Sequence, residues 1–275
     1  MNKQSFLIRL LVAVIFGPLI IAVMWFGKFY LLSFLLAVVA LSVWEFNRLA
    51  GYKGAWGELI SSEILALSVV TVLYYQPALV VPVVIAGTIV ILFTQLYREK
   101  GSPLLNTPVS LFNSILFAFL FGSFILIRQM PFRIGVDYVE AGQWLIMIIL
   151  STWVCDTAAY VLGSILGKHK LMPRISPNKT VEGSVFGFVF SVLTAWLCHV
   201  WFIDGLLLVH SLIIGGIVGT FGQYGDLFES MFKRDAGVKD SSSLLPEHGG
   251  IMDRFDSLLI STPVVYLFLK FIVFG

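Results

Sequence analysis

Asp226 with Glu229, and Asp253 with Asp256, form two i, i+3 carboxylate pairs that bracket a polar stretch in an otherwise apolar chain. On a helix that spacing puts both acids of a pair on one side. Between the pairs lie Lys233, Arg234, Lys239, His248 and the doublet Gly249-Gly250, and Arg254 follows Asp253 directly. Mg²⁺ prefers oxygen ligands and commonly takes one or two carboxylates plus substrate phosphates, so Asp226 and Asp253 are the candidate metal ligands. Lysine and arginine supply the charge that phosphates need, and glycine lets the backbone approach a ligand closely. The combination points to chemistry on a phosphorylated substrate. Simpler roles exist for single residues: Asp253 and Asp256 could favour a helix N-terminus, and Lys233 and Arg234 could be a juxtamembrane basic patch. Those roles leave the equal acidic content and the His248-Gly249-Gly250 turn without a reason.

A second polar stretch runs from Gly167 to Ser184 and holds Lys168, His169, Lys170, Arg174 and Lys179, with Glu182 as its one acid. Its Ser176-to-Ser184 segment, SPNKTVEGS, places a proline turn, a hydroxyl, a lysine and a glycine just before an apolar run. Such a segment suits a polyphosphate at a helix N-terminus, with Lys179 and Ser176 as candidate contacts. As a solvated loop it would also be ordinary. Asp156 stands inside the apolar run STWVCDTAAYVLG. A carboxylate within a membrane is costly unless it is paired or faces water, so Asp156 is a functional candidate, with Thr157 and Tyr160 in its network. Glu45, Arg48 and Glu63, near the ends of early apolar runs, read as interfacial anchors. Cys155 and Cys198 lie in apolar runs without CxxC spacing and read as small buried hydrophobes.

The elements that must position these groups are membrane helices. The chain has 275 residues, of which 58% are hydrophobic and 12% charged, so the bilayer is its main solvent. A spanning helix needs roughly 20 mostly apolar residues. Runs of that kind occupy 7–26, 29–47, 59–75, 78–97, 108–128, 143–163, 183–203, 206–223 and 256–274. The expectation is an all-α, polytopic protein with about nine transmembrane helices. Placing the N-terminus in the cytoplasm puts 14 of the 18 basic residues on that side, as the positive-inside rule favours. The first run reads as an uncleaved span. Residues 1–140 hold about five spans with short connections, and 141–275 form the expected catalytic region, with cytoplasmic loops 164–182 and 226–255. No repeat and no low-complexity segment is apparent.

The segment Ser230 to Asp256 resembles the signature of phosphatidate cytidylyltransferases, also called CDP-diacylglycerol synthases. Its matching positions are Ser230, Phe232, Lys233, Arg234, Lys239, Asp240, Leu245, Pro246, His248, Gly249, Gly250, Ile251, Asp253, Arg254, Phe255 and Asp256. GDLFES from Gly225, D-T-x-A-Y from Asp156 and S-P-x-K-T-x-E-G from Ser176 are also similar to that family. The resemblance implies conversion of CTP and phosphatidic acid to CDP-diacylglycerol and pyrophosphate at the cytoplasmic face of a bacterial-type inner or plasma membrane. It further implies Mg²⁺ on Asp226 and Asp253, a possible second, monovalent cation such as K⁺, and a homodimer. Asp226, Asp253, Lys239, Arg254 and Asp156 are then the expected catalytic residues. Substrate would be bound by Lys179, Ser176, Lys233, Arg234, His248, Gly249 and Gly250, and no nucleic-acid partner is expected.

Two other functions fit parts of the pattern. A CTP-dependent kinase of polyprenol or phytol would move the γ-phosphate to an alcohol and would need a base. An ion or anion transporter would spread polar groups through several spans near the midplane; here they concentrate in the two polar stretches.

Overall fold

The computed structural model describes residues 3–130, 136–244 and 249–275, and the surroundings of side chains from residue 14 onward. The described chain is helical apart from one small hairpin. Six of its helices are long and apolar enough to cross a membrane: Lys28–Gly51, Pro77–Leu96, Pro103–Arg128, Tyr138–Leu166, Val181–Phe202 and Met252–Val273. Val14–Phe26 and Leu59–Tyr75 are shorter apolar helices. The chain is therefore a multi-pass membrane protein, and every apolar run found in the sequence falls on a helix.

By contact the chain divides into two compact units. One comprises residues 1–126 and 232–254, the other 127–231 and 255–275. In the first unit α1 (Lys3–Phe26), α2 (Lys28–Gly51), α3 (Leu59–Tyr75), α4 (Val80–Leu96) and α5 (Pro103–Arg128, whose last two residues count with the second unit) follow one another with short connections. The α2–α3 connection is fastened to α5 by polar side chains one helical turn apart. Asn106 Oδ1 accepts from the Trp56 N–H at 2.8 Å, and Ser110 Oγ accepts from the Glu58 N–H at 2.8 Å. Arg98, after α4, donates to Glu58 at 2.6 Å. An aromatic cluster fills the centre: Phe46 of α2 meets Phe112 and Phe117 of α5 and Phe232, with ring centroids 5.3–5.8 Å apart. Phe232 thereby seats the start of the 232–254 segment against α2.

The second unit opens with α6 (Tyr138–Leu166), the hairpin β1 (Lys170–Met172) and β2 (Ser176–Thr180), and α7 (Val181–Phe202). The strands are antiparallel, with Lys170 opposite Thr180 and Met172 opposite Ser176. Thr180 ends the hairpin and caps α7, its hydroxyl accepting from the Gly183 N–H at 3.2 Å. Next come α8 (Leu208–Ile217), a π-helical turn (Val218–Gly222) and α9 (Gln223–Asp235), one unbroken helical run. Ser191 of α7 donates to the Gly215 carbonyl at 2.8 Å and holds α8 in place. The last helix, α10 (Met252–Phe268), ends in another π turn.

Two regions expected as loops carry structure. Residues 226–235 continue a helix, because Leu227, Phe228, Met231 and Phe232 keep an apolar stripe at helical spacing after membrane-like composition stops. The 164–182 stretch is not open loop: helix α6 runs to Leu166, and the hairpin fills most of the remainder.

Candidate active site

Within the second unit, β2 and α9 bring together the lysine and the aspartate that the two polar stretches supply. Lys179 Nζ lies 2.6 Å from Asp226 Oδ2, and both side chains keep about 30% exposure (27% and 31%). Ser230, one turn along α9, donates to Asp226 Oδ1 at 3.2 Å. Asp226 therefore faces a cation while remaining open to a ligand. Close packing fixes where α9 starts: a Cβ on Gly225 would strike the Asp256 carbonyl oxygen, so only glycine fits. Asp156 of α6 is reached by the Ser257 hydroxyl at 3.4 Å to each carboxylate oxygen. Thr157, expected to join that network, instead donates to the Trp153 carbonyl of its own helix at 2.7 Å.

The hairpin and helices of this unit also border an open apolar pocket of about 320 Å³, lined in part by Leu171, Met172, Val185, Phe188, Tyr224 and Leu227. Leu227 follows Asp226 directly, and Val181, also on the lining, is two residues from Lys179. A greasy slot thus adjoins a charged pair.

The α7 N-terminus itself is largely satisfied from within the protein. Val181 donates its N–H to the His169 carbonyl, and Gly183 donates to Thr180. Glu182 occupies that first turn, accepting from the backbone N–H groups of Lys168 and His169 and lying 2.6 Å from His169 Nδ1. An anion placed there would meet a carboxylate. Lys179 and the half-buried Ser176 remain candidate contacts through their side chains.

Within the first unit, Asp253 forms a second lysine–carboxylate pair, and its surroundings differ. Lys233 Nζ contacts Asp253 Oδ1, and the two side chains are 9% and 7% exposed. Asp253 Oδ2 accepts from the Ser241 N–H at 3.0 Å, the Ser241 hydroxyl at 2.8 Å and the Gly250 N–H at 2.7 Å. The glycine doublet has a reason here apart from any ligand. Gly249 has φ +78°, a left-handed conformation that L side chains avoid, and a Cβ there would lie 2.7 Å from Asp253 Oδ2. A Cβ on Gly250 would strike Ser241 Oγ and the Glu45 carboxylate. Arg234 donates to the Val238 carbonyl at 2.9 Å, and Lys239 and Arg254 are exposed. His248 lies outside the described residues.

Glu45 is the residue whose role the sequence concealed. It is no exposed anchor: it is fully buried in α2 and accepts from the Ser241 and Ser242 hydroxyls and from the Ile251 and Met252 N–H groups. Its partners lie about two hundred residues away in sequence, and no local pattern announces such a pairing.

Among the described residues no three His, Cys, Asp or Glu side chains gather as a metal cluster. A divalent cation would therefore need substrate and water oxygens beside one or two carboxylates, which is how Mg²⁺ is usually held. Asp226 and Asp253 suit it chemically: each is a hard oxygen donor already facing a cation, the ammonium of a lysine.

Residues 7–272 match the model of the Cytidylyltransferase family. The chain belongs to that family. It is 42% identical over 158 residues to the phosphatidate cytidylyltransferase of Staphylococcus saprophyticus, an alignment covering 56% of this chain and 61% of the relative. With the protein of the same name from Staphylococcus aureus strain N315 it is 41% identical over 159 residues, again 56% and 61%. The match thus spans about three fifths of the length of these curated relatives. Cytidylyltransferase membership places the lysine–carboxylate pairs of both units inside the matched region.

Proposed function

We propose that this protein transfers the cytidylyl group of CTP to phosphatidic acid, giving CDP-diacylglycerol and pyrophosphate for phospholipid synthesis. The observation that carries this reading is that both candidate metal-ligand aspartates, Asp226 and Asp253, hold a lysine ammonium. In the reaction a phosphate oxygen of phosphatidate attacks the α-phosphorus of CTP, and the bond to the bridging oxygen of the pyrophosphate breaks. A phosphate monoester has a second pKa of about 6, so the nucleophile is ionised at neutral pH and no general base is required. The obstacle is repulsion between two anions. Lys179 and Lys233 lower it when their ammonium groups turn from aspartate to phosphate, and Lys239, Arg234 and Arg254 add charge stabilisation for the leaving group. Asp226 and Asp253 would hold Mg²⁺, which neutralises triphosphate charge when bound. A monovalent cation such as K⁺ is a further proposal resting on family resemblance, as is a homodimer.

Lipid phosphate and acyl chains must be accommodated together. The apolar pocket adjoining Lys179 and Asp226 is proposed to take part of an acyl chain, its volume falling in the range of ligand pockets. Nine spans with the N-terminus and both polar stretches in the cytoplasm are proposed from the placement of 14 of 18 basic residues. A cysteine at the exposed Asp240 should then be labelled only from the cytoplasmic side; labelling from outside inverts the topology.

The deciding assay incubates purified protein with phosphatidic acid, Mg²⁺ and CTP labelled at the α-phosphate. Label entering the lipid together with pyrophosphate release supports the proposal. Label remaining in released CDP, with a phosphorylated alcohol formed on a polyprenol or phytol substrate, would establish the kinase instead.

A further inference from the structure

The fully buried Glu45 sits in the membrane-spanning helix Lys28–Gly51, where a carboxylate is expensive to keep. All four groups that donate to it come from one segment. Its Oε1 accepts from Ser242 Oγ at 2.6 Å and from the Ile251 N–H at 2.9 Å, and its Oε2 from Ser241 Oγ at 2.9 Å and from the Met252 N–H at 2.8 Å. Each carboxylate oxygen thus binds one donor from the start of the 241–252 segment and one from its end. Ile251 and Met252 also lie at the N-terminus of α10, whose first N–H groups have no partner within the helix. Glu45 caps that helix from another part of the chain, where the helix dipole favours a negative charge.

We propose that Glu45 is a positioning residue that holds Ser241–Ser242 and Ile251–Met252 together and thereby orients Asp253. Asp253 Oδ2 receives its donors from Ser241 and Gly250, residues of the segment that Glu45 pins. Ser241 links the two acids directly: its hydroxyl is 2.9 Å from Glu45 and 2.8 Å from Asp253. With one proton to give, that hydroxyl serves one carboxylate at a time, while its backbone N–H stays on Asp253. The fit leaves no slack, because any side chain at Gly250 would enter the space between Ser241 and Glu45. Neighbouring Phe46 meets Phe232, so two consecutive α2 residues also contact the wider 232–254 stretch at its start and near its end. An amide at position 45 cannot replace the acid, since its NH₂ would confront a backbone N–H that has no acceptor to offer.

The activity arm of the test rests on the proposed cytidylyl transfer; the exchange arm does not. Glu45→Gln is compared with Val39→Ala, a buried cavity variant of the same helix, in detergent without metal or substrate. Hydrogen exchange should accelerate at Ile251 and Met252 in Glu45→Gln and stay at the parental rate there in Val39→Ala. In the full reaction Glu45→Gln should lose about 10–100-fold in kcat/KM and in apparent Mg²⁺ affinity, the usual cost of removing a group that orients a metal ligand. Parental exchange in Glu45→Gln, or the same local acceleration in Val39→Ala, overturns the proposal. Should Glu45→Gln fail to fold, Ser242→Ala must give a smaller acceleration confined to Ile251 and Met252; no acceleration overturns it equally. If the parent protein forms no CDP-lipid, the proposed function falls and exchange alone decides the role of Glu45.

Discussion

Replacing Lys233 by methionine should cost this protein far more stability than the same change at Lys179. Both lysines pair with an aspartate, but the Lys233–Asp253 side chains are 9% and 7% exposed against 27% and 31% for Lys179–Asp226. Removing one member of a buried pair strands a charge, at a cost of about 3–5 kcal/mol. Two backbone N–H donors, from Ser241 and Gly250, and the shared Ser241 hydroxyl remain for Asp253, which puts Lys233→Met near the lower end, about 3 kcal/mol. A solvent-screened pair is worth about 0–1 kcal/mol, so Lys179→Met should fall there. At about 2–4 °C per kcal/mol for domains of comparable size, the expected drops are roughly 6–12 °C and no more than about 4 °C. Thermal unfolding in one detergent at one scan rate gives the comparison, since irreversible unfolding makes only matched scans comparable. Lys233→Met/Asp253→Asn should recover part of the loss, because the stranded charge is gone and the two sites are coupled. A Lys233→Met protein melting like its parent, or Lys179→Met melting lower than Lys233→Met, would refute the reasoning.

Asp226→Asn and Asp253→Asn should each insert and fold yet lose turnover; near-normal CDP-lipid formation by either removes that residue from the metal site. Thr180→Ala removes the α7 cap and should lower stability by about 1 kcal/mol, read by the same melting assay; an unchanged melt would mean the cap contributes nothing. Val185→Trp, which fills the apolar pocket, should raise KM for phosphatidate while leaving KM for CTP within about twofold, the pattern of lost binding for one substrate. Equal effects on both substrates would deny that slot to the acyl chain.

The helices were readable because burial in lipid demands long apolar runs, and α3 has the very bounds, 59–75, that composition suggests. Polarity hides helix where apolar composition stops before backbone hydrogen bonding does. Asp226 marks the end of apolar composition, yet backbone hydrogen bonding continues to Asp235, and the Leu227–Phe228–Met231–Phe232 stripe was the available signal. The hairpin escaped notice because KLM and SPNKT are short and carry no alternating pattern. Among the candidate site residues, Lys179 and Asp226 were singled out by residue type, and the structure pairs them. Glu45 was invisible for a different reason: its partners Ser241 and Met252 are distant in sequence, and a lone acid near the end of an apolar run resembles an anchor.

On the proposed nine-span topology, the unbroken helical run from Leu208 would also act as a depth gauge. Asp226 stands eighteen residues after Leu208, a rise of about 27 Å at 1.5 Å per residue. The hydrocarbon core of a bilayer is about 30 Å thick. A helix entering at Leu208 and running along the bilayer normal delivers the Asp226 carboxylate to the opposite water boundary, the level at which phospholipid phosphates float. Substrate would then arrive by sliding within its own leaflet, and its phosphate would never have to be lifted out of the membrane or pulled into it. Capture would then be a search in two dimensions, with one helix setting the height of the catch.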